Sequence, residues 1–338
     1  MKPKVYVTRT LPPPGVELIE AVCDVEVNPE EAPPTRDILI RKTRDSDGIL
    51  CLITDRFDSD LLCAASPNLK VISSMSVGYD HINVEAATKK GIYVTFTPGV
   101  LTDATADFTW TLLMAVNRRV VEADNYVRAG KWNIQWSPTM FLGREVSGKT
   151  LGIVGLGRIG EAVARRARGF NMKLLYYDVV RAKQETETGL GVEYVSLDRL
   201  LKEADFVTIH APLTKETRHL IGEEQLKLMK RTAYLVNTAR GPLVDQKALA
   251  KALREGWIAG AALDVFEKEP IDLSDPLMKL ENVVLAPHIA SATTEARSKM
   301  TEAAAKNLIS VLRGEPPQFL VNQEVLKVRP LSAVRMIT

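Results

Sequence analysis

The sequence predicts an α/β protein made of two doubly wound domains, each built on a parallel sheet. Three observations carry this. The chain has 338 residues, long for a single core, so two domains are expected. Short apolar runs alternate with helix-period segments along the chain, the pattern of parallel strands joined by crossover helices. A strand–glycine turn–helix unit opens a second α/β series at Thr150, after a first series that has no such turn.

In the first series the expected strands are Val5–Thr8, Val25–Val27, Gly48–Ile53, Lys70–Met75 and Ile92–Phe96. Helical stretches such as Arg36–Thr43 and Val84–Lys89 separate them. A long helix is expected over Thr102–Val121, where Ala106, Trp110, Leu113, Val116 and Val120 recur at helical spacing. Its other faces are apolar too, which places it in a core or at an interface. Trp132–Gly143 has little periodicity and reads as a loop. Strands then follow at Leu151–Gly155, Lys173–Tyr177, Val192–Tyr194, Phe206–His210, Ala233–Asn237, Gly260–Val265 and Val283–Pro287. A last helix, Thr293–Leu312, has Ala296, Met300, Ala304, Leu308 and Val311 on one side and ends at Gly314 and Pro316–Pro317. No internal repeat or low-complexity tract interrupts this order.

Composition narrows the function classes. Apolar residues are 46% and charged residues 25%, and the net charge is +2, which does not suggest a nucleic-acid or membrane-surface protein. The three cysteines, Cys23, Cys51 and Cys63, are odd in number and form no C-x-x-C, so neither a disulfide framework nor a zinc cluster is expected. All three read as small buried core residues. The opening MKPKVYVTRT lacks the apolar region of a signal peptide, and no run of 18 apolar residues exists. A reduced, cytoplasmic setting is expected.

Gly155-x-Gly157-x-x-Gly160 follows an apolar strand and opens an amphipathic helix carrying Ile159, Val163 and Ala167. Another apolar strand then ends at Asp178. In this context the first glycine permits a tight turn, the second lets backbone approach a pyrophosphate, and the third lets helix pack on strand. The diphosphate then meets the free N–H groups and dipole of the helix N-terminus. Asp178 lies 18 residues beyond Gly160, where an acid accepts hydrogen bonds from an adenosine ribose. Its carboxylate repels a 2′-phosphate, so NAD is expected over NADP, with NADP possible because Arg181 partly offsets that charge. Gly143-x-x-x-x-Gly148-Lys149-Thr150 also matches a P-loop pattern. It follows a loop and opens a strand, the reverse of what a P-loop requires, and is rejected.

Three polar residues stand where apolar strands end: Arg240, Glu269 and His288. Ligands bind outside the carboxyl ends of strands in open parallel sheets, so the three are candidates for one cleft beside Gly155. An arginine fork can hold carboxylate or carbonyl oxygens, a histidine can give a proton to a carbonyl oxygen, and a carboxylate can orient that histidine. Each alone has a plainer reading: Arg-Gly after a strand is often a solvated turn, and Glu269 before Pro270 can be a surface acid. His81, His210 and His219 are not expected to be catalytic, although His210 is expected to line the cofactor cleft through its backbone.

The chain resembles the D-isomer-specific 2-hydroxyacid dehydrogenases, and their glyoxylate (hydroxypyruvate) reductase branch in particular. The matching blocks are Ser76–Val84, Thr97–Asp107, Gly155–Gly160, Asn237–Gly241, Ala262–Pro270 and Ala286–Thr293. The resemblance implies a Rossmann cofactor domain (100–288) inserted in a flavodoxin-like substrate domain (1–99 plus 289–338). It implies that Arg240 binds and polarises the substrate, Glu269 supports the histidine, and His288 donates the proton. Val77 and Gly78 would hold the substrate carboxylate through backbone N–H groups. The implied cofactor contacts are Thr105, Gly155, Gly157, Arg158, Ile159, Gly160, Asp178, Val179, Val180, Arg181, His210, Pro212, Thr238, Ala239, Arg240, Asp264 and His288, with Asp264 meeting the nicotinamide carboxamide. No metal is implied. A homodimer through the cofactor domain is, with Trp132–Gly143 contributing.

Some positions depart from the family's pattern. Phe96 and Ala290 stand where many relatives have asparagine and glycine, and neither change removes a catalytic group. Val77 replaces the lysine of phosphite dehydrogenases, which argues against phosphite. The expected activity is NAD(P)H-dependent reduction of glyoxylate, and of hydroxypyruvate, with no nucleic-acid or membrane partner. The alternatives are a D-lactate or phosphoglycerate type of dehydrogenase and, in another class, a dinucleotide-sensing corepressor without catalysis.

Overall fold

A computed structural model describes residues 2–337 and divides the chain into two compact units. One takes the chain up to Leu101 and again from Ala292, and the other is Thr102–Ser291. The first unit opens with β1 (Lys4–Val7), α1 (Gly15–Glu20), β2 (Asp24–Val27), α2 (Arg36–Asp45) and β3 (Gly48–Cys51). It continues through α3 (Ser59–Cys63), β4 (Val71–Ser74), α4 (Val84–Lys89) and β5 (Tyr93–Thr95). Side-chain oxygens of Thr35, Asp58 and Asn83 cap α2, α3 and α4 by accepting backbone N–H groups of their first turns. The five strands pair wholly in parallel in the order β2-β1-β3-β4-β5, the flavodoxin-like order. β3 and β4 are buried throughout, which is why they read as unbroken apolar or small-residue runs.

The second unit begins with α5 (Thr102–Asn117) and α6 (Val120–Arg128). Its strands are β6 (Thr150–Val154), β7 (Lys173–Tyr177), β8 (Val192–Tyr194), β9 (Phe206–Ile209), β10 (Tyr234–Asn237), β11 (Gly260–Leu263) and β12 (Val283–Leu285). Between them run α7 (Arg158–Ala167), α8 (Gln184–Leu190), α9 (Leu197–Glu203), α10 (Glu223–Leu228) and α11 (Gln246–Arg254). The sheet is again all parallel, in the order β12-β11-β10-β9-β6-β7-β8. Chain direction across it reverses between β6 and β9, so loops leaving those strands diverge and open a crevice at their carboxyl ends. One cluster, with Leu200, Val207, Leu235, Leu249 and Leu253, forms one core of the unit. Another, with Trp110, Leu113, Val163, Phe206 and Val236, brings α5 and α7 onto the sheet.

The chain then returns to the first unit as α12 (Thr294–Leu312), capped by the Thr293 hydroxyl and stopped at Gly314, whose φ is +72°. All five of its expected face residues are buried. It packs on β3, β4 and α1, and a Cβ on Gly15 would lie 2.7 Å from Thr301 Cβ. A short α13 (Val325–Val328) follows.

Two expectations need correction. The predicted helix over Thr102–Val121 breaks at Arg119, which takes a left-handed φ of +54°, and α6 continues on a new axis. The cause is a distant segment. Asn117 donates through Nδ2 to the Arg144 carbonyl (2.7 Å), and a Cβ on Gly143 would lie 2.4 Å from the Asn117 carbonyl. Arg119 itself forks onto Glu122 (2.6 and 2.8 Å) and lies over the Phe141 ring. Val120, expected on the buried face, is 53% exposed. Cys63 is also exposed, whereas Cys23 and Cys51 are buried. Among the described residues no helix is long and apolar enough to cross a membrane, and no group of His, Cys, Asp and Glu could hold a metal ion.

Candidate active site

The ends of β10, β11 and β12 are tied into one rim. The Asp264 N–H donates to the Asn237 carbonyl (3.0 Å), and the His288 N–H donates to the Asp264 carbonyl (2.9 Å), extending the sheet ladder past the strands. Asn237 wraps the turn that carries Arg240: its Oδ1 accepts from the Ala239 N–H (3.0 Å) and its Nδ2 donates to the Arg240 carbonyl (2.9 Å). Gly241 presses that turn against the next loop, since a Cβ there would fall 1.9 Å from the Phe266 carbonyl carbon.

Glu269 sits on this second loop. Its Oε1 accepts from the Phe266 N–H (3.0 Å) and its Oε2 meets His288 Nδ1 at 2.7 Å. Burial works to raise the Glu269 carboxyl, but the hydrogen bond and charge of His288, with help from Phe266 and Arg240, hold it below the usual carboxylate range. A carboxylate partner at Nδ1 puts a proton on that nitrogen and leaves Nε2 for chemistry. His288 stands at φ +56°, a left-handed backbone that side chains with a Cβ seldom adopt. Asp264 braces it: Oδ1 accepts from the Ile289 N–H and Oδ2 from the Ala290 N–H, both at 2.8 Å. That carboxylate is fully buried, and burial raises it above its ordinary value. The structure thus places Asp264 as a brace for the histidine loop, each oxygen accepting one backbone N–H; its expected contact with the nicotinamide carboxamide stays a proposal.

The glycine turn lies at the switch point of the same unit. Gly155 has φ +94°, and a Cβ there would lie 2.7 Å from the Ala211 nitrogen, at the end of β9. A Cβ on Gly160 would lie 2.2 Å from the Gly155 carbonyl oxygen, so only glycine lets α7 start so close to β6. A Cβ on Gly157 would meet nothing within 4 Å, so that position faces open space. No side chain caps the N-terminus of α7, which Arg158 and Ile159 begin. A bare helix start beside open glycine backbone suits the diphosphate of a dinucleotide. Asp178 follows β7, its Oδ2 accepting the Leu156 N–H (2.8 Å), so it also fastens the glycine turn; Val179 and Val180 beyond it are exposed. Thr105 is buried on α5, and the Thr238 and Thr109 hydroxyls share a hydrogen bond of 2.8 Å. His210 and Pro212 lie in the loop after β9, where burial pushes the His210 ring down to about 3.

In the first unit, Val77 and Gly78 follow β4 and are half-buried. The Ser76 hydroxyl donates to the Gly78 carbonyl (2.6 Å) and pairs with Ser74, which in turn pairs with His81 Nε2 (3.1 Å). His219 pairs with Glu267 (2.9 Å), a second imidazole–carboxylate contact. Sequence reasoning passed over Asn237, the bracing role of Asp264, and Glu187, which grips Arg181. Spacing carries no signal for the Asp264 contacts, which join two loops, whereas Asn237 acts within its own turn, two and three residues along.

Residues 110–290 match the family model of the NAD-binding domain of the D-isomer-specific 2-hydroxyacid dehydrogenases. The chain is 59% identical over 338 residues to a glyoxylate reductase of Thermofilum pendens, covering 99% of each. It is 60% identical over 330 residues to that of Korarchaeum cryptofilum, covering 98% of this chain and 99% of the other. Among solved structures, a glyoxylate reductase from Paecilomyes thermophila superposes with a TM-score of 0.85 at 32% identity, covering 96% of this chain and 99% of that one. An NADPH-dependent glyoxylate/hydroxypyruvate reductase from Sinorhizobium meliloti, in complex with NADP and malonate, gives 0.83 at 31% identity, covering 96% and 98%.

Proposed function

The chain belongs to the D-isomer-specific 2-hydroxyacid dehydrogenase family, and we propose that it reduces glyoxylate, and hydroxypyruvate, to the 2-hydroxy acid with NADH. The observation that carries this reading is the His288–Glu269 pair at 2.7 Å, held on the sheet rim that also bears the Arg240 turn. When bound, the dinucleotide supplies the hydride that adds to the carbonyl carbon. Gly155, Gly157, Gly160 and the start of α7 hold its diphosphate, and Asp178 takes the adenosine ribose. His288 gives the proton on Nε2 to the carbonyl oxygen, and the Glu269 carboxylate favours the charged ring that makes this donation. Arg240 holds the substrate's oxygens with its planar fork. Val77 and Gly78 remain the proposed carboxylate-binding residues.

The glyoxylate reductase relatives support the choice of substrate. The test is a panel of glyoxylate, hydroxypyruvate, pyruvate and phosphohydroxypyruvate, each with NADH and NADPH. The highest kcat/KM is expected for glyoxylate with NADH. A preference for pyruvate or phosphohydroxypyruvate would move the protein to another branch, and no turnover with any of the four would remove the enzyme reading. We further propose a homodimer, supported by the exposed apolar residues Val120, Val127, Trp132, Ile134, Trp136 and Leu142. Free thiols at Cys23, Cys51 and Cys63 suit a cytoplasmic location.

A further inference from the structure

Arg181 follows Asp178 by three residues, where a guanidinium would be expected to meet a 2′-phosphate. Its fork is already engaged. Nε and Nη2 donate to the two oxygens of Glu187 at 2.9 Å each, a bidentate pair. Glu187 is well anchored. Its side chain is only 11% exposed, against 64% for Arg181, and it also accepts from the Tyr176 hydroxyl at 2.6 Å. Tyr176 is fully buried in β7, and its hydroxyl oxygen accepts the Ala182 N–H (2.9 Å). The hydrogen bonds from Arg181 and Tyr176 hold the Glu187 carboxyl down to about 2, so it stays charged. The guanidinium also lies 5.6 Å over the Tyr194 ring, whose hydroxyl donates to the Asp178 carbonyl (3.3 Å). Arg181 is therefore close to the ribose-reading acid but turned toward α8.

We propose that Glu187 is a specificity-determining residue for the dinucleotide: by gripping Arg181 it denies that guanidinium to a 2′-phosphate and keeps NADH preferred over NADPH. This rests on the cofactor reading given above and deepens it. The electrostatics point the same way. Asp178, Arg181 and Glu187 leave one negative charge in excess around the site, and a 2′-phosphate brings about two more. Neutralising Glu187 removes that excess and frees the fork. In water, removing one charge close to a dianion changes affinity by roughly a factor of a few, and a released bidentate donor adds to this. Asp178 is the less discriminating handle, because it also fastens the glycine turn through Leu156.

The experiment measures dissociation constants for NADH and NADPH by fluorescence titration, without substrate, on wild type, Glu187→Gln and Glu187→Gln/Arg181→Ala. Glu187→Gln should bind NADPH about fivefold or more tighter, with NADH affinity within about twofold of wild type. The double variant should lose the NADPH gain. An unchanged NADPH constant in folded Glu187→Gln overturns the proposal, and so does a gain that persists without Arg181. Should Glu187→Gln not fold, Glu187→Ser, which leaves room for water under the Tyr176 hydroxyl, repeats the comparison. Wild type that binds neither dinucleotide would instead defeat the cofactor reading itself, an outcome visible before any variant is made.

Discussion

His288 keeps a left-handed backbone, of the kind that costs on the order of 1–3 kcal/mol and persists only where surroundings over-determine it. Here they do, through the two Asp264 oxygens and the Asp264 carbonyl. Asparagine tolerates this conformation, so His288→Asn separates chemistry from backbone strain. Turnover should fall about a thousandfold with NADH affinity unchanged; retained turnover would remove His288 as the donor. Glu269, whose carboxyl is held below its usual range, stays ionised through the neutral and mildly acid range. Glu269→Gln removes the charge that favours the protonated ring. In this variant kcat/KM for reduction should fall about a hundredfold with NADH affinity unchanged; full activity would mark Glu269 as structural. His210 gives a stability prediction. Burial holds it near 3 against an ordinary 6.5, and its Nε2 has no hydrogen-bond partner among the described residues. Below 6.5 the unfolded chain takes up a proton that the folded chain refuses until about 3, so stability falls with pH across that window. Denaturant titrations at several pH values should show a flatter dependence in His210→Gln.

At the scale of elements, the strand–turn–helix of β6 and α7 divides its glycines by physical role. Gly160→Ala drives a Cβ to 2.2 Å from the Gly155 carbonyl, an overlap that helix and strand must separate to relieve. It should lower stability by about 1–3 kcal/mol, read as a fall in Tm. Gly157→Ala adds a Cβ to open space. Its Tm should hold while NADH affinity drops, since the methyl would stand where the diphosphate is proposed to approach. Equal losses of Tm in both variants would contradict this division. This unit was legible in the sequence because its evidence is local: apolar strands buried on both faces and glycines at fixed offsets. The break between α5 and α6 was not. Ala106 to Val116 read correctly as a buried face, but Arg119 turns because Gly143 and Arg144 dock on Asn117, and no window around residue 119 contains that contact. The three catalytic candidates were found from strand ends and family blocks. Asp264 behind His288 became readable only in three dimensions, because 25 residues separate the partners, whereas Asn237 beneath Arg240 is a local turn contact of a type asparagine favours.

For the molecule as a whole, the segment after α5 carries more apolar surface than a lone chain needs. Trp136 is 76% exposed, and Val120, Val127, Trp132, Ile134 and Leu142 are exposed in the same stretch of chain. Exposed large apolar residues gathered in one segment are a mark of association sites. Beside them runs a groove of about 700 Å³, lined in part by Glu122, Tyr126, Phe141, Leu280 and Val283 and flanking β12, the edge of the seven-stranded sheet. An edge strand with its pairing groups open is stabilised by whatever covers it, and a second copy of this chain supplies an equally apolar surface in matching concentration. Wild type should therefore sediment as a dimer at micromolar concentration. Ile134→Glu/Trp136→Glu should shift it toward monomer, because both changes put charge into the face that must dehydrate. Both residues lie in the loop outside α7 and the glycine turn, so the monomeric variant should still bind NADH. A wild type that stays monomeric at high concentration, or a variant that stays dimeric, would assign this apolar surface to another partner.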